Sequence, residues 1–169
     1  RMLVDIGTNG EIALWHRGQL SCCSTAAGPA FEGAGLSMGM AGKTGAVDHV
    51  RVQDGALQAH VIGGGAPKGI CGSGVIDALA CLVELEQLDE TGLLEQDPAP
   101  VAPPVCLTQK DVRMVQLAKS AICAGLSTLL RVEGLCGADA AELAVAGGFG
   151  SYLDVNSAGR IGLLPEELV

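Results

Sequence analysis

Aromatic residues are scarce in this chain: one Trp, one Tyr and two Phe among 169 residues. Any core must therefore be built from Leu, Val, Ile and Ala. Basic clusters are missing too. Ten Lys and Arg are dispersed among 19 Asp and Glu, for a formal net charge of −9. A nucleic-acid surface needs the opposite balance, so that function class is excluded. The acidity is a solubility feature. No apolar run approaches the ~20 residues of a membrane span, and no signal-peptide pattern is visible, which points to the cytoplasm and away from membranes. None of the seven cysteines forms a Cys-x-x-Cys pair, and no His stands at zinc-finger spacing from them. The expectation is reduced, buried thiols.

Hydrophobic residues make up 49% of the chain, enough for one domain without disulfide or metal staples. Glycine is abundant at 25 residues. In a chain that is neither repetitive nor collagen-like, this suggests tight turns and loops that approach a ligand closely.

Met2 to Ile6 is a short apolar run closed by a glycine turn, and reads as a buried strand. Glu11 to His16 alternates, Arg17-Gly18 is a turn, and Gln19 to Thr25 returns as a third strand. The domain thus opens on a three-stranded antiparallel meander. A loop with a short helix near Phe31 to Leu36 follows. Val47 to Val61 is a hairpin about Asp54-Gly55, expected at the periphery. Ser73 is a candidate N-cap for a helix from Val75 to Gln87, with Asp77 in its first turn. The proline-rich stretch 97–107 reads as an extended connector. Thr108-Gln109-Lys110-Asp111 resembles a capping box and opens the longest helix, about Lys110 to Glu133, with Gly125 its weak point. Glu142 to Ala146 is expected to be a buried strand, with a last helix near Ser151. The order is α/β, and its antiparallel opening argues against a simple doubly wound sheet.

Four stretches carry candidate chemistry. In Asp5-Ile6-Gly7-Thr8-Asn9-Gly10, glycines let backbone N–H groups converge, while Thr8 and Asn9 add side-chain donors. That suits a terminal phosphate. Asp5 at the strand end is a candidate to hold magnesium through water, or to orient a nucleophilic water. The same Asn-Gly turn also occurs in plain hairpins. In Ala144-Val145-Ala146-Gly147-Gly148-Phe149-Gly150, a strand ends in two glycines, which brings backbone against a flat ligand such as adenosine. Close strand–helix packing explains the same pattern. Gly69 to Gly74, with Gly72 and Ser73, is a glycine loop opening a helix, but it is not a Walker A loop. Glu32, between Phe31 and Gly33, is a second candidate carboxylate for a base role or magnesium, or else a solvated loop residue. His16, His49 and His60 are singletons whose ordinary reading is satisfied surface or core histidine.

Taken in order, these motifs resemble the second half of the acetate and sugar kinase, heat-shock chaperone and actin superfamily, in which two ribonuclease-H-like subdomains close over ATP. The strings DIGTNGEIAL, CSTAAGPAFEGAG, GICGSGVIDAL, LTQKDVRMVQLAKSAICAG and AGGFGSYLD resemble the C-terminal domain of the reductive activators of corrinoid proteins. The resemblance runs over essentially the whole chain. It implies a ribonuclease-H-like (actin-like ATPase) subdomain: a meander, helices and a parallel strand, with a hairpin insertion. Residues 1–169 would then be the second half of a longer chain's ATPase domain. It implies ATP and Mg2+ as ligands, with Gly7, Thr8, Asn9 and Gly10 at phosphate and Gly147, Gly148 and Phe149 at adenosine. In that family an N-terminal [2Fe-2S] ferredoxin-like domain, outside this chain, supplies an electron. ATP helps drive reduction of cob(II)amide to cob(I)amide in a partner corrinoid protein. Oligomeric state, including a homodimer, stays open.

Cys71 also matches a cluster cysteine of the activators of 2-hydroxyacyl-CoA dehydratases. The second cluster cysteine of that family has no clear counterpart, so no cluster is expected here. An activator of that type, a small-molecule kinase half and a non-catalytic binding module remain alternatives. Half a nucleotide cleft implies weak or no ATP hydrolysis from this piece alone.

Overall fold

A computed structural model describes residues 1–169. Its first sheet is the expected meander. β1 (Met2–Ile6), β2 (Gly10–His16) and β3 (Gln19–Thr25) pair antiparallel, and β9 (Leu143–Ala146) joins β1 in parallel, for the order β3-β2-β1-β9. Met2, Val4 and Ile6 alternate inward with Ile12 and Leu14 of β2, all nearly fully buried. The turn between β2 and β3 is Arg17-Gly18, both at positive φ (49° and 79°). That conformation matches the right-handed twist of the flanking strands. β9 departs from the expected buried strand. It is an edge strand, paired only with β1, and Ala144 is exposed.

The long helix α2 (Gln109–Val132) packs across β2 and β3. Its capping box is formed: Asp111 N donates to Thr108 Oγ1 at 3.2 Å, and Thr108 N donates to Asp111 Oδ2 at 2.8 Å. The glycine inside it has a steric cause. A Cβ on Gly125 would stand 2.5 Å from Thr25 Cγ2 and 2.7 Å from Ile12 Cδ1. Glycine costs ~1 kcal/mol of helix propensity against alanine, whereas overpacking a tight core contact costs roughly 1–3 kcal/mol. The contact decides.

The second sheet has the order β5-β4-β6, from β4 (Ala46–Gln53), β5 (Ala56–Val61) and β6 (Gly69–Ile70). Asp54-Gly55 forms its hairpin turn at φ 53° and 73°. The hairpin is not peripheral: Ala46, Val47 and Val50 are core residues, and α1 (Gly72–Glu84) lies along the edge of β4 that β6 leaves unpaired beyond Val47. Helical spacing supplies the partners. Cys71 N and Ser73 Oγ donate to the carbonyls of Val47 and Asp48, at 3.0 and 2.8 Å. One turn on, Asp77 Oδ2 accepts from Val50 N at 3.4 Å, and after another turn Cys81 Sγ donates to Val50 O at 3.5 Å. One residue per turn thus satisfies an open strand edge that would otherwise be a buried, unpaired backbone.

This edge corrects the sequence reading of α1. The helix starts at Gly72 with Cys71, not Ser73, at the N-cap, and it ends at Glu84. Asp77 therefore lies beyond the first turn and serves β4 instead of the helix dipole. The two early glycines, poor helix formers on propensity, are needed for close approach. A Cβ on Gly74 would lie 2.9 Å from the carbonyl carbon of Val47.

Residues 97–107 are also corrected. They contain a hairpin of β7 (Ala99–Ala102) and β8 (Val105–Leu107), closed at Pro103-Pro104, and not a bare connector. Ala99, Val101, Val105 and Leu107 are buried, and β7 lies against β5. Prolines are tolerated because a two-stranded ribbon is all edge. The short helix near Phe31 is a 3-10 turn, Pro29–Glu32. At the chain's end a 3-10 turn, Gly150–Tyr152, precedes α3 (Val155–Arg160), capped by Asp154. No helix is long and apolar enough to cross a membrane.

Candidate functional site

Three glycine turns, far apart in sequence, meet at one end of the meander sheet. β1 carries Asp5 to its C-terminal end, and β9, in parallel register, brings Ala146 beside Asp5 and Gly147 just past it. Gly147 has φ 94°, and a Cβ there would come within 2.7 Å of Asp5 Oδ1 and 2.9 Å of Ile6 O. Both the backbone angle and the space require glycine. From the opposite side, the first residue of α1 enters. A Cβ on Gly72 would stand 2.8 Å from Phe149 Cδ2.

Between these turns lies a cavity of about 430 Å³. Asp5, Gly7, Glu32, Gly72, Ser73, Gly147, Gly148 and Phe149, all candidates from the sequence, line it. A Cβ at Gly148 would meet nothing within 4 Å, and one at Gly7 only atoms at 3.9 Å, so the cavity faces bare backbone at both turns. A ligand with a charged end and a flat end has room against both. Phe31, the segment Met40–Gly42, Cys71 and Tyr152 line the cavity as well, and sequence reasoning did not assign them to it. Only the three-dimensional path of the 33–45 loop brings Met40 there. Met40 N donates to Ile70 O at 2.9 Å, pinning that loop beside α1.

Three residues of the phosphate hairpin are placed differently from the expectation. Thr8 and Asn9 are exposed at the tip, outside the cavity lining. Thr8 Oγ1 donates to Glu32 Oε2 at 2.7 Å, and Gly28 N donates to Thr8 O at 2.8 Å, so the hairpin is moored to the 28–32 segment. Gly10 is a packing residue: it is buried beneath Ile122 of α2, and a Cβ there would lie 2.7 Å from Thr25 Oγ1. Its lack of a side chain serves the helix–sheet contact. Ser73 lines the cavity, but its hydroxyl is committed to Asp48 O.

Two carboxylates, Asp5 and Glu32, line the cavity. No group of three or more His, Cys, Asp or Glu side chains is placed to hold a metal. Magnesium keeps several waters and binds through one or two carboxylates plus phosphate oxygens, a demand with which the pair Asp5 and Glu32 is compatible. Two of the three histidines are paired individually with carboxylates. His49 Nδ1 lies 3.0 Å from Asp77 Oδ2, and His60 Nδ1 lies 2.5 Å from Asp48 Oδ1. All seven thiols are free, and only Cys71 and Cys81 are buried, fewer than expected. Burial, with the nearby charges of Asp77 and Glu84, pushes the Cys81 thiol up to about 11.

The model of the C-terminal domain of RACo, the ASKHA domain, matches residues 1–168. The chain belongs to this family. It is 41% identical to the corrinoid activation enzyme RamQ of Eubacterium limosum, over 98% of this chain and 33% of that protein. It is 31% identical to the [Co(II) methylated amine-specific corrinoid protein] reductase of Methanosarcina barkeri, over 97% of this chain and 34% of the relative. The solved structure of a reductive activator for a corrinoid, iron–sulfur protein superposes with a TM-score of 0.87 at 34% identity, covering 97% of this chain and 30% of that one. The chain thus spans about a third of the length of the curated relatives it matches. The family's actin-like ATPase fold agrees with the meander, the parallel β9 and the position of the glycine turns.

Proposed function

We propose that this chain is the nucleotide-binding module of a reductive activator that drives an electron from an iron–sulfur domain to a corrinoid protein, taking cob(II) to cob(I). The observation that carries the reading is the convergence of Asp5, Gly7, Gly72, Gly147 and Gly148 on one cavity, with bare backbone at the two turns of the meander sheet. ATP would lie with its phosphates toward Gly7 and the hairpin and its adenosine toward Gly147–Phe149. Thr8 and Asn9 would reach phosphate by closing over it from the tip. Asp5 would hold magnesium through water or orient the attacking water, and Glu32 would assist from across the hairpin.

The curated relatives support the direction of this reading by what their names say they do. The corrinoid partner, the ferredoxin-like electron donor, the [2Fe-2S] cluster outside this chain and a cytoplasmic location follow from it as parts of the same proposal. A homodimer is compatible with it.

The experiment is steady-state ATP hydrolysis by the complete protein, in the presence of its corrinoid partner, for wild type and Asp5→Ala. The expected result is ATP turnover that falls by about 10²-fold in the variant, the scale of a lost acid–base or water-positioning group. Unchanged turnover would remove Asp5 from the mechanism. No heat on calorimetric titration with ATP would favour a non-catalytic binding module.

A further inference from the structure

Both phenylalanines of the chain are used on a single contact. Phe31, 3% exposed, stacks on Phe149 with ring centroids 5.3 Å apart and planes 14° from parallel. Phe149 follows the Gly147-Gly148 turn directly. Phe31 directly precedes Glu32, whose carboxylate accepts from Thr8 on the phosphate hairpin at 2.7 Å. On the α1 side the pair packs closely on Gly72, which leaves no room for a side chain there. A Cβ on Gly72 would stand 2.8 Å from Phe149 Cδ2 and 3.0 Å from its Cε2, and the Phe31 carbonyl oxygen crowds the same point. A continuous path of contacts therefore runs from the adenosine turn, through two rings, to Glu32 and Thr8.

From this path we infer that Phe31 is a positioning residue. The stack fixes Glu32 and the phosphate hairpin according to what the Gly147–Phe149 turn is holding. The inference rests on the nucleotide reading of the cavity, and deepens it by joining the two ends of the same site. Rings resist sliding because offset contact is lost as they separate. A displacement of Phe149 by a bound base is therefore passed to the backbone at Phe31 and so to Glu32. The pair acts on turnover more than on binding, because Phe31 reaches the reacting end only through its neighbour. An ångström of misplacement at such a group is enough to slow chemistry by an order of magnitude or more.

The test is a double-variant comparison in the complete protein, reading kcat and KM for magnesium-ATP. Phe31→Leu is expected to lower kcat by about tenfold with KM changed by less than about twofold. Glu32→Gln is expected to lower kcat at least as much. Adding Phe31→Leu to Glu32→Gln is expected to lower kcat no further, because the first residue acts through the second. Phe149→Leu breaks the stack from its half-buried side, and must show the same lack of additivity with Glu32→Gln if Phe31→Leu does not fold. Multiplying losses in the double variants would overturn the coupling while leaving the nucleotide site standing. A Phe31→Leu protein whose KM rises with kcat unchanged would do the same. Wild-type protein that binds no ATP would overturn both.

Discussion

Gly147 is the residue on which most of the site's geometry turns. Its φ of 94° is in the region that favours glycine, and its neighbours are the Asp5 carboxylate and the Ile6 carbonyl. Gly147→Ala is expected to destabilise the fold by about 1–3 kcal/mol, from backbone strain and overpacking together. It should also weaken ATP binding by displacing Asp5, and calorimetric titration with denaturant curves on the same protein checks both. A second residue-scale prediction concerns thiols. Cys81 is buried and its pKa is pushed up to about 11, from an ordinary value of 9.0. At pH 8 it should resist iodoacetamide while the exposed Cys22 and Cys136 react, as mass spectrometry of labelled peptides will read. The linkage has a definite sign. The raised pKa favours the folded protein fully below pH 9, and that contribution is lost as pH rises through about 11. Replacing Cys81 with alanine should flatten the alkaline end of the stability profile.

Elements whose causes are local were legible in the sequence, and elements whose causes are tertiary were not. The meander, the Asp54-Gly55 hairpin and the Thr108 cap rest on alternation and turn chemistry, and each forms as the pattern implies. Loss of the cap should therefore cost what caps ordinarily cost. Thr108→Ala is expected to lower stability by ~1 kcal/mol in urea unfolding. The start of α1 is hidden in the sequence because Gly72 and Gly74 look like loop, whereas their reason is contact with Phe149 and Val47. Residues 97–107 read as linker because prolines mask the burial of Ala99, Val101, Val105 and Leu107. Of the candidate site, the glycine turns and Asp5 were visible as motifs. That Gly10 belongs to helix packing, and that Thr8 bonds to Glu32, depend on α2 and on the 28–32 segment, which no local pattern encodes. Asp77 is the element-scale counterpart. It is 4% exposed, one carboxylate oxygen serves His49 and Val50, and the other has no hydrogen-bond partner. Asp77→Ala removes an edge cap from β4 and should cost roughly 1–3 kcal/mol, measured as above.

At the scale of the whole molecule, the fold is a frame that brings three chain-distant turns to one end of a sheet. β1 and β9 lie parallel, so their C-terminal ends coincide, and α1 is held beside them by its one-residue-per-turn grip on β4. The resulting cavity has backbone at its turns, carboxylates from Asp5 and Glu32, and a stacked aromatic pair on one wall. The chain belongs to the RACo C-terminal family, and corrinoid reduction is the setting that the proposed function gives this cavity. At the centre of the proposed function stands ATP binding in this cavity. Its most direct measurement is calorimetric titration of magnesium-ATP into the complete protein, wild type beside Gly147→Val. A single saturable site in the wild type, lost in the folded variant, is the predicted result. Equal binding by both, or none by the wild type, would contradict the account.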